Sequence, residues 1–187
     1  MTFLNLDTKS SSFGGSLLNK SNAKTARPIS TKKVMHLVLR SEKAKGAYSF
    51  LLSKHKDRIE DTIYNQARKT GVKVYSYANS GNHLHILVLP RTRRAFSNFI
   101  RAICGIIARI VLGKERGQAQ HSENSSSKAI NPEKFWDQRP FSRILEWGKA
   151  FNLAKDYLLQ NTLEALGFIK YKPRKAQRYS ARRRAPS

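Results

Sequence analysis

The chain has 187 residues, with 36 Lys and Arg against 12 Asp and Glu and a formal net charge of +24. That length suits one domain with tails, and a charge of that size favours nucleic acid as partner over a merely solvated basic surface. The single cysteine excludes an intramolecular disulfide and a cysteine-rich zinc site. The most apolar segment carries Arg101 and Arg109, so no membrane span is expected.

Hydrophobic patterning divides the chain into two basic tails and one domain. Residues 1–32 are rich in Ser, Asn and Lys and lack periodicity, which predicts a flexible basic arm. Residues 33–168 form the domain, interrupted by a polar loop or insertion at 114–132, and residues 169–187 are a basic C-terminal tail. The predicted elements, in chain order, are strand 33–40, helix 47–71, strand 72–79, strand 82–90, helix 93–113, strand 140–145 and helix 148–167.

This order of elements predicts an α+β fold. It matches the split βαβ plan, in which a ferredoxin-like or RRM-like antiparallel sheet (βαββαβ) carries helices on one face, here with a C-terminal helix added. The plan hosts many functions, so the function has to be argued from particular side chains.

The stretch "NHLHILVLP" places two histidines on one predicted strand. His83 and His85 are two residues apart, so their imidazoles project from the same face, within reach of one small ion. If residues 80–81 form a two-residue turn, Ala78 lies opposite His83 and Ser76 opposite His85, and these small neighbours leave space. The alternative is a pair of half-buried histidines with local hydrogen bonds. A metal site would need a third ligand from another rigid element.

The last predicted helix offers a candidate. In "DYLLQN", Tyr157 and Asn161 are four residues apart and share one helix face. Alone, Tyr157 is interpreted as a boundary aromatic, and His36 as a structural histidine, with support of a metal ligand as the alternative. Together, imidazoles, an amide and a tyrosine on a basic protein indicate phosphodiester chemistry. A divalent ion would polarise the phosphoryl oxygen, and tyrosine would be the covalent nucleophile.

These motifs resemble a known family. His83-Leu84-His85 is a His–hydrophobe–His (HUH) motif, and with "FWDQRPFSRIL" and "YLLQN" the chain resembles the single-tyrosine HUH transposases, in particular the REP-associated tyrosine transposases, over about residues 34–168. Two positions depart from the pattern: Gly81 and Thr162 stand where relatives often have proline.

The resemblance implies a site and a reaction. His83, His85 and Asn161 would bind Mg²⁺ or Mn²⁺, with Gln160 as the other amide left open, and Tyr157 would be the nucleophile. Single-stranded DNA with a hairpin or palindromic repeat would be cut and rejoined through a 5′-phosphotyrosine intermediate with a free 3′-hydroxyl.

Six further residues are candidates for DNA contact. Arginines after the histidine strand and around the "RPFSR" strand would hold phosphates without reading sequence, and one tryptophan would stack on unpaired bases or, alternatively, serve the core or a hinge. They are Arg91, Arg93, Arg94, Arg139, Arg143 and Trp136.

The sequence therefore predicts a metal-dependent single-stranded DNA endonuclease and strand transferase. The alternative is a non-catalytic, domesticated relative that binds single-stranded DNA or RNA hairpins. A cytoplasmic, nucleoid-associated protein without a membrane segment is expected. It would be a monomer or a homodimer, with Tyr157 acting in its own site or in a partner's.

Overall fold

The protein forms a five-stranded antiparallel sheet with helices on both faces. The structure is a computed structural model that describes residues 12–15, 26–113 and 135–170. The sheet order is β1-β5-β2-β4-β3, and the predicted fold class is confirmed. The elements are β1 (Ser12–Phe13), β2 (Met35–Arg40), α1 (Ser53–Thr70), β3 (Val72–Asn79), β4 (His83–Pro90), α2 (Arg93–Leu112), β5 (Phe141–Ile144) and α3 (Lys149–Ala165).

One face of the sheet holds the main core. Alternate residues of β2 and β4 point to this face, and helices α1 and α2 cover it with side chains spaced one helical turn apart. Each fully buried aliphatic or aromatic side chain contributes about 1.5–3 kcal/mol. The largest buried members are Met35, Leu37, Leu39, Phe50, Ile59, Ile63, Leu84, Ile86, Phe96, Phe99 and Ile103.

The opposite face carries a smaller core beneath α3. It consists of Val34, Ala78, Leu87, Leu145 and Leu158, with Tyr75, Phe151, Ala154 and Tyr157 packed against it. Helix α3 lies mainly over β3. Because this core is small, part of the face is left for polar side chains.

Helix α1 is shorter than predicted. It begins at Ser53 rather than at residue 47, because residues 46–52 form a separate turn that places Phe50 in the core. The backbone N–H of Phe50 donates to the carbonyl of Gly81 at 2.8 Å. This long-range contact cannot be predicted from the local sequence pattern. The end of α1 is as predicted, with Gly71 in the left-handed conformation at φ 73°.

Two parts of the segment predicted to be a flexible N-terminal arm contact the sheet. Strand β1 pairs with β5 at the edge of the sheet, and Arg27 donates from Nη1 to Ser142 Oγ at 2.6 Å while its guanidinium lies 4.5 Å from the Phe13 ring centroid. A Cβ at Gly14 would stand 2.3 Å from the Pro140 carbonyl oxygen, so only glycine fits there. The predicted insertion and nearly all of the predicted C-terminal tail lie outside the described residues.

Among the described residues, α2 alone is long and apolar enough to cross a membrane by length and composition. The same test is passed by core helices of soluble proteins. Its stripe of Phe96, Phe99, Ile103 and Ile107 is fully buried in the main core.

Candidate active site and nucleic-acid interface

The hairpin that presents the histidines turns one residue later than predicted. Ser80 N donates to the His83 carbonyl at 3.0 Å, so Gly81 and Asn82 form the turn, and Gly81 adopts φ 86° as the first position of a type II′ turn favours. Ala78 therefore lies opposite His85, not opposite His83. The pairing of β3 with β4 is thus shifted by two residues from the predicted register. Because side chains alternate between the faces with a period of two, this shift leaves both histidines on the predicted face.

Both histidines have Nδ1 engaged by a polar neighbour. Nδ1 of His83 lies 2.7 Å from Oδ1 of Asn82, and Nδ1 of His85 lies 3.1 Å from Nε2 of His36. The rings of His83 and His85 are 4.8 Å apart at their centroids, and those of His36 and His85 are stacked at 5.2 Å. With Nδ1 engaged in each case, Nε2 would be the atom through which each imidazole acts as a ligand.

Helix α3 brings Tyr157 to the histidines. The Tyr157 ring lies edge-on to His85, with centroids 5.3 Å apart, and at 6.2 Å from His36. The small side chains of Ala154 on the helix and Ala78 on β3 both pack in the core between α3 and the sheet. They allow the close approach that puts the phenol beside the imidazoles of the same chain.

The two candidate amides differ in their surroundings. Asn161 is 7 % exposed and lies one turn after Tyr157 on the same helix face. Gln160 instead donates from Nε2 to Oε1 of Glu164 at 2.8 Å, along the helix. The arrangement favours Asn161 over Gln160 as the amide that accompanies Tyr157.

Burial and nearby positive charge lower the pKa of two of the imidazoles, those of His36 and His83. Burial, together with the charge of Arg143, lowers the pKa of His36 to about 4. Burial also lowers the pKa of His83, and the guanidinium of Arg40, which lies opposite His83 in the sheet, acts in the same direction. Neutral imidazole is the form that binds metal ions, so the lowered pKa of His83 favours its form as a ligand.

The residues present fit a divalent cation held by nitrogen and amide oxygen. Two imidazoles with Nδ1 engaged, as metal-ligating histidines usually are, stand on one face beside a helix that carries a buried amide. Among the described residues there is no group of three or more His, Cys, Asp or Glu side chains arranged to hold a metal. The donor set would therefore be His83, His85 and Asn161 without a carboxylate.

The arginines that were predicted to contact DNA do not all lie together. Arg143 lies opposite His36 in the sheet, hence on the histidine face. Arg91, Arg93 and Arg94 are exposed at the other end of β4, roughly 20 Å from His85 at about 3.4 Å per strand residue. Arg91 lines an open cavity of about 510 Å³ together with Arg68 and Lys73. Arg139 is exposed just before β5.

Trp136 lies on the other side of the sheet. Its ring packs against the main core beside Phe50 and Phe135, and its Nε1 donates to the Cys104 carbonyl at 3.0 Å. The structure thus supports the core role that was weighed for it, and base stacking by Trp136 has no support from this position.

Two features of the site escaped the sequence interpretation. Nothing local shows that His36 touches His85, because the two are 49 residues apart in the chain; their shared face could have been inferred only once the pairing of β2 with β4 was assumed. Trp147, which is 45 % exposed, was not singled out, since exposure depends on tertiary packing.

The class of protein follows from a comparison of sequences, which identifies a family of DNA-processing enzymes. The sequence model of IS200-like transposases matches residues 30–159. This span is well over half of the chain and includes both site histidines and Tyr157, so the chain belongs to the IS200-like transposase family. The resemblance inferred from the motifs is confirmed.

One solved structure supports the fold. A REP-associated tyrosine transposase bound to a REP hairpin aligns with a TM-score of 0.56 and 15 % identity, over 80 % of this chain and 77 % of that chain. A transposase-like protein from Deinococcus radiodurans R1 aligns more distantly, with a TM-score of 0.40 and 14 % identity, over 76 % of this chain and 97 % of that chain. No curated protein matches the chain.

Proposed function

We propose that this transposase is a metal-dependent single-stranded DNA endonuclease and strand transferase that uses Tyr157 as its nucleophile. The observation that carries the proposal is the position of the Tyr157 ring, 5.3 Å from the ring of His85 within one chain. A phenol beside neutral imidazoles, on a protein with a net charge of +24, suits attack on a polyanionic phosphodiester.

The proposed step breaks one P–O bond and forms another. Tyr157 loses its phenolic proton, its oxygen bonds to phosphorus, and the bond from phosphorus to the 3′ oxygen breaks. The 3′ oxygen leaves as a hydroxyl, and the 5′ phosphate stays on Tyr157. Rejoining is the reverse attack by a 3′-hydroxyl, so the strand can be exchanged without an external energy source.

The cation of the proposal is Mg²⁺ or Mn²⁺, bound through Nε2 of His83 and of His85 and through the amide oxygen of Asn161. When bound, it withdraws charge from a non-bridging phosphoryl oxygen and orients the phosphorus. A ligand set of imidazoles without carboxylate favours Mn²⁺ over Mg²⁺ in affinity. The role of His36 is to hold His85 in the orientation that presents Nε2.

The substrate of the proposal is single-stranded DNA next to a hairpin or palindromic repeat. The solved relative with the same fold is bound to a REP hairpin, and the basic face of this chain suits the same class of ligand. Arg143 on the histidine face would hold a phosphate near the reacting bond, and the Arg91 cluster would hold more distant phosphates. The protein would act in the cytoplasm at the nucleoid, as a monomer or homodimer.

A trapping assay tests the proposal. A labelled hairpin oligonucleotide from the DNA flanking this gene, with single-stranded extensions, is incubated with Mn²⁺ and then denatured. We expect a denaturant-resistant protein–DNA adduct with the wild type, and none with Tyr157→Phe or after chelation. Tyr77→Phe is the matched control, because Tyr77 packs in the main core on the other face, and it should still form the adduct.

The outcomes distinguish the proposed enzyme from a relative that binds hairpins without cutting them. Tight binding of the oligonucleotide without any adduct would contradict the enzyme and favour a hairpin-binding relative. An adduct that survives in Tyr157→Phe would contradict the assignment of the nucleophile.

A further inference from the structure

An exposed aromatic cluster stands at the start of α3. Trp147 lies two residues before the first residue of α3, Lys149, and is 45 % exposed. Its ring centroid lies 5.6 Å from that of Tyr75 on the edge strand β3 and 5.1 Å from that of Phe151, and Tyr75 and Phe151 are 5.5 Å apart. The three rings meet edge to face, so each holds the orientation of the others.

This cluster is on the same face of the sheet as Tyr157. Tyr75, Phe151 and Tyr157 all pack against the core beneath α3. Phe151 and Tyr157 are six residues apart on one helix, about 9 Å along its axis. With stacked nucleotides rising about 3.4 Å each, that span corresponds to roughly three nucleotides. Because the Trp147 ring contacts that of Phe151, a strand whose phosphodiester lies at Tyr157 can reach Trp147 over a similar distance.

Lysines surround the rings. Nζ of Lys73 lies 4.7 Å from the Tyr75 ring centroid and Nζ of Lys155 lies 5.8 Å from that of Phe151. Lys73 also lines the basic cavity that contains Arg68 and Arg91, so positive charge continues from the aromatic cluster around the sheet edge. The nearby Glu146 is paired with Lys33.

We propose that Trp147, supported by Tyr75 and Phe151, is a stacking platform for one unpaired base of single-stranded DNA, with Lys73 and Lys155 contacting the flanking phosphates. Aromatic rings between cations are the arrangement by which proteins hold single strands. The inference deepens the proposed function, on which it rests for the identity of the ligand, and it assigns the stacking role predicted for Trp136 to the other tryptophan.

A structural role for Trp147 is the alternative. Its indole Nε1 donates to the Lys32 carbonyl at 2.9 Å, and an apolar residue before a helix often packs on the first turn to fix the entry of the chain. That role predicts a loss of stability on substitution. The platform predicts a loss of DNA affinity that depends on one base, which stability alone cannot produce.

The first test uses fluorescence, because the chain has only two tryptophans. In a Tyr157→Phe background, which removes the proposed nucleophile, Trp136→Phe leaves Trp147 as the sole indole and Trp147→Phe leaves Trp136. The hairpin oligonucleotide with single-stranded extensions should quench the first protein and leave the second nearly unchanged. Equal quenching in both proteins would overturn the inference.

The second test couples the ring to a base. In the same background, each nucleotide of the extension is replaced in turn by an abasic site, and affinity is measured for the parent, Trp147→Ala and Trp147→Phe. We expect one position, about three nucleotides from the cleavage site, where the parent loses roughly tenfold in affinity. Trp147→Ala should bind the intact strand correspondingly weaker and lose nothing more at that position, and Trp147→Phe should keep most of the effect.

The control is Phe168→Ala. Phe168 is 75 % exposed just beyond the other end of α3, about 25 Å along the helix axis from Trp147, and its removal should not change affinity. Independent losses from Trp147→Ala and the abasic site, or no loss from Trp147→Ala, would overturn the inference. Failure of the parent to bind any oligonucleotide would overturn both proposals. Coupling without an adduct in the trapping assay would leave the platform standing and remove the strand transfer.

Discussion

The two faces of the sheet are built from neighbouring residues of the same strands, yet they differ in almost every respect. The face beneath α1 and α2 is covered by aliphatic and phenylalanine side chains, most of them with no exposed surface. The face beneath α3 has a core of five residues, and beside it stand three histidines, a tyrosine and two arginines. Strand alternation allows this division, because consecutive residues point to opposite faces.

The difference teaches where stability and chemistry are located in this fold. The α1–α2 face supplies most of the buried apolar surface, so the α3 face can accommodate neutral imidazoles and a buried amide. Substitutions on the first face should change unfolding, and substitutions on the second should change DNA chemistry. The predictions below follow that division.

The largest effect is expected on the α1–α2 face. Phe99 on α2 has no exposed surface, and Phe99→Ala should lower the free energy of unfolding by about 3–5 kcal/mol through lost contacts and a cavity. Urea unfolding followed by circular dichroism measures it. Leu159→Ala, at a position 59 % exposed on α3, is the control and should cost little. Equal losses for the two would contradict the location of the core.

Removing a histidine should have opposite consequences on the two faces. His83→Ala should reduce adduct formation by roughly a hundredfold or more, since it removes a cation ligand, and should change the unfolding free energy by only about 1 kcal/mol. His55 is buried on α1, with Nδ1 2.8 Å from the Ser49 carbonyl. His55→Ala should destabilise the protein and leave adduct formation by the folded protein unchanged. Loss of adduct formation in folded His55→Ala, together with normal adduct formation in His83→Ala, would contradict the assignment of stability to one face and DNA chemistry to the other.

The contact between His36 and His85 should be visible in metal affinity. Substituting a neighbour that orients a ligand typically costs 10–100-fold, so His36→Leu should weaken Mn²⁺ binding by about that factor, as read by electron paramagnetic resonance of free Mn²⁺. His36→Gln should recover part of the affinity, because its amide oxygen can accept a hydrogen bond from Nδ1–H of His85. Equal Mn²⁺ affinity in wild type and His36→Leu would exclude the positioning role.

The pH should also change the stability of the protein in the absence of metal. The pKa of His36 is about 4 in the folded chain, because of burial and Arg143, against about 6.5 for an unperturbed histidine. Between these values the unfolded chain binds more protons, so stability should fall as pH drops from about 6.5 to about 4, by about 3 kcal/mol in all. Unfolding experiments in the presence of chelator should show this decrease of stability with falling pH in the wild type. The decrease should be smaller in His36→Leu, where the titration of His83 accounts for the part that is left. An unchanged slope in His36→Leu would contradict the assignment.

The parts of the fold that follow from local pattern were predictable. Alternation in "HLHILVLP" placed the two histidines on one face, and the spacing of Tyr157 and Asn161 placed them on one side of a helix. Both are short-range consequences of backbone geometry, and both appear in the structure. The family resemblance depended on these same residues.

What escaped prediction depended on long-range pairing. An irregularity in β3 between Val74 and Ser76 turns Tyr75 toward α3 while Tyr77 stays in the main core, because a bulge reverses the alternation. Strand β1 pairs with a segment some 130 residues later. The surroundings of Trp136 and Trp147 depend on how the helices pack on the sheet. The residues next to each tryptophan in the sequence do not determine that packing.

The central claim is that Tyr157 carries the DNA, and mass spectrometry of the trapped adduct tests it directly. The wild-type protein is trapped with Mn²⁺ and the hairpin oligonucleotide, the DNA is digested by nuclease, and the protein is cleaved into peptides. The account predicts one modified peptide, with a 5′-nucleotide phosphate on Tyr157, among the seven tyrosines of the chain. A nucleotide on any other residue, or a 3′-linked one, would contradict it.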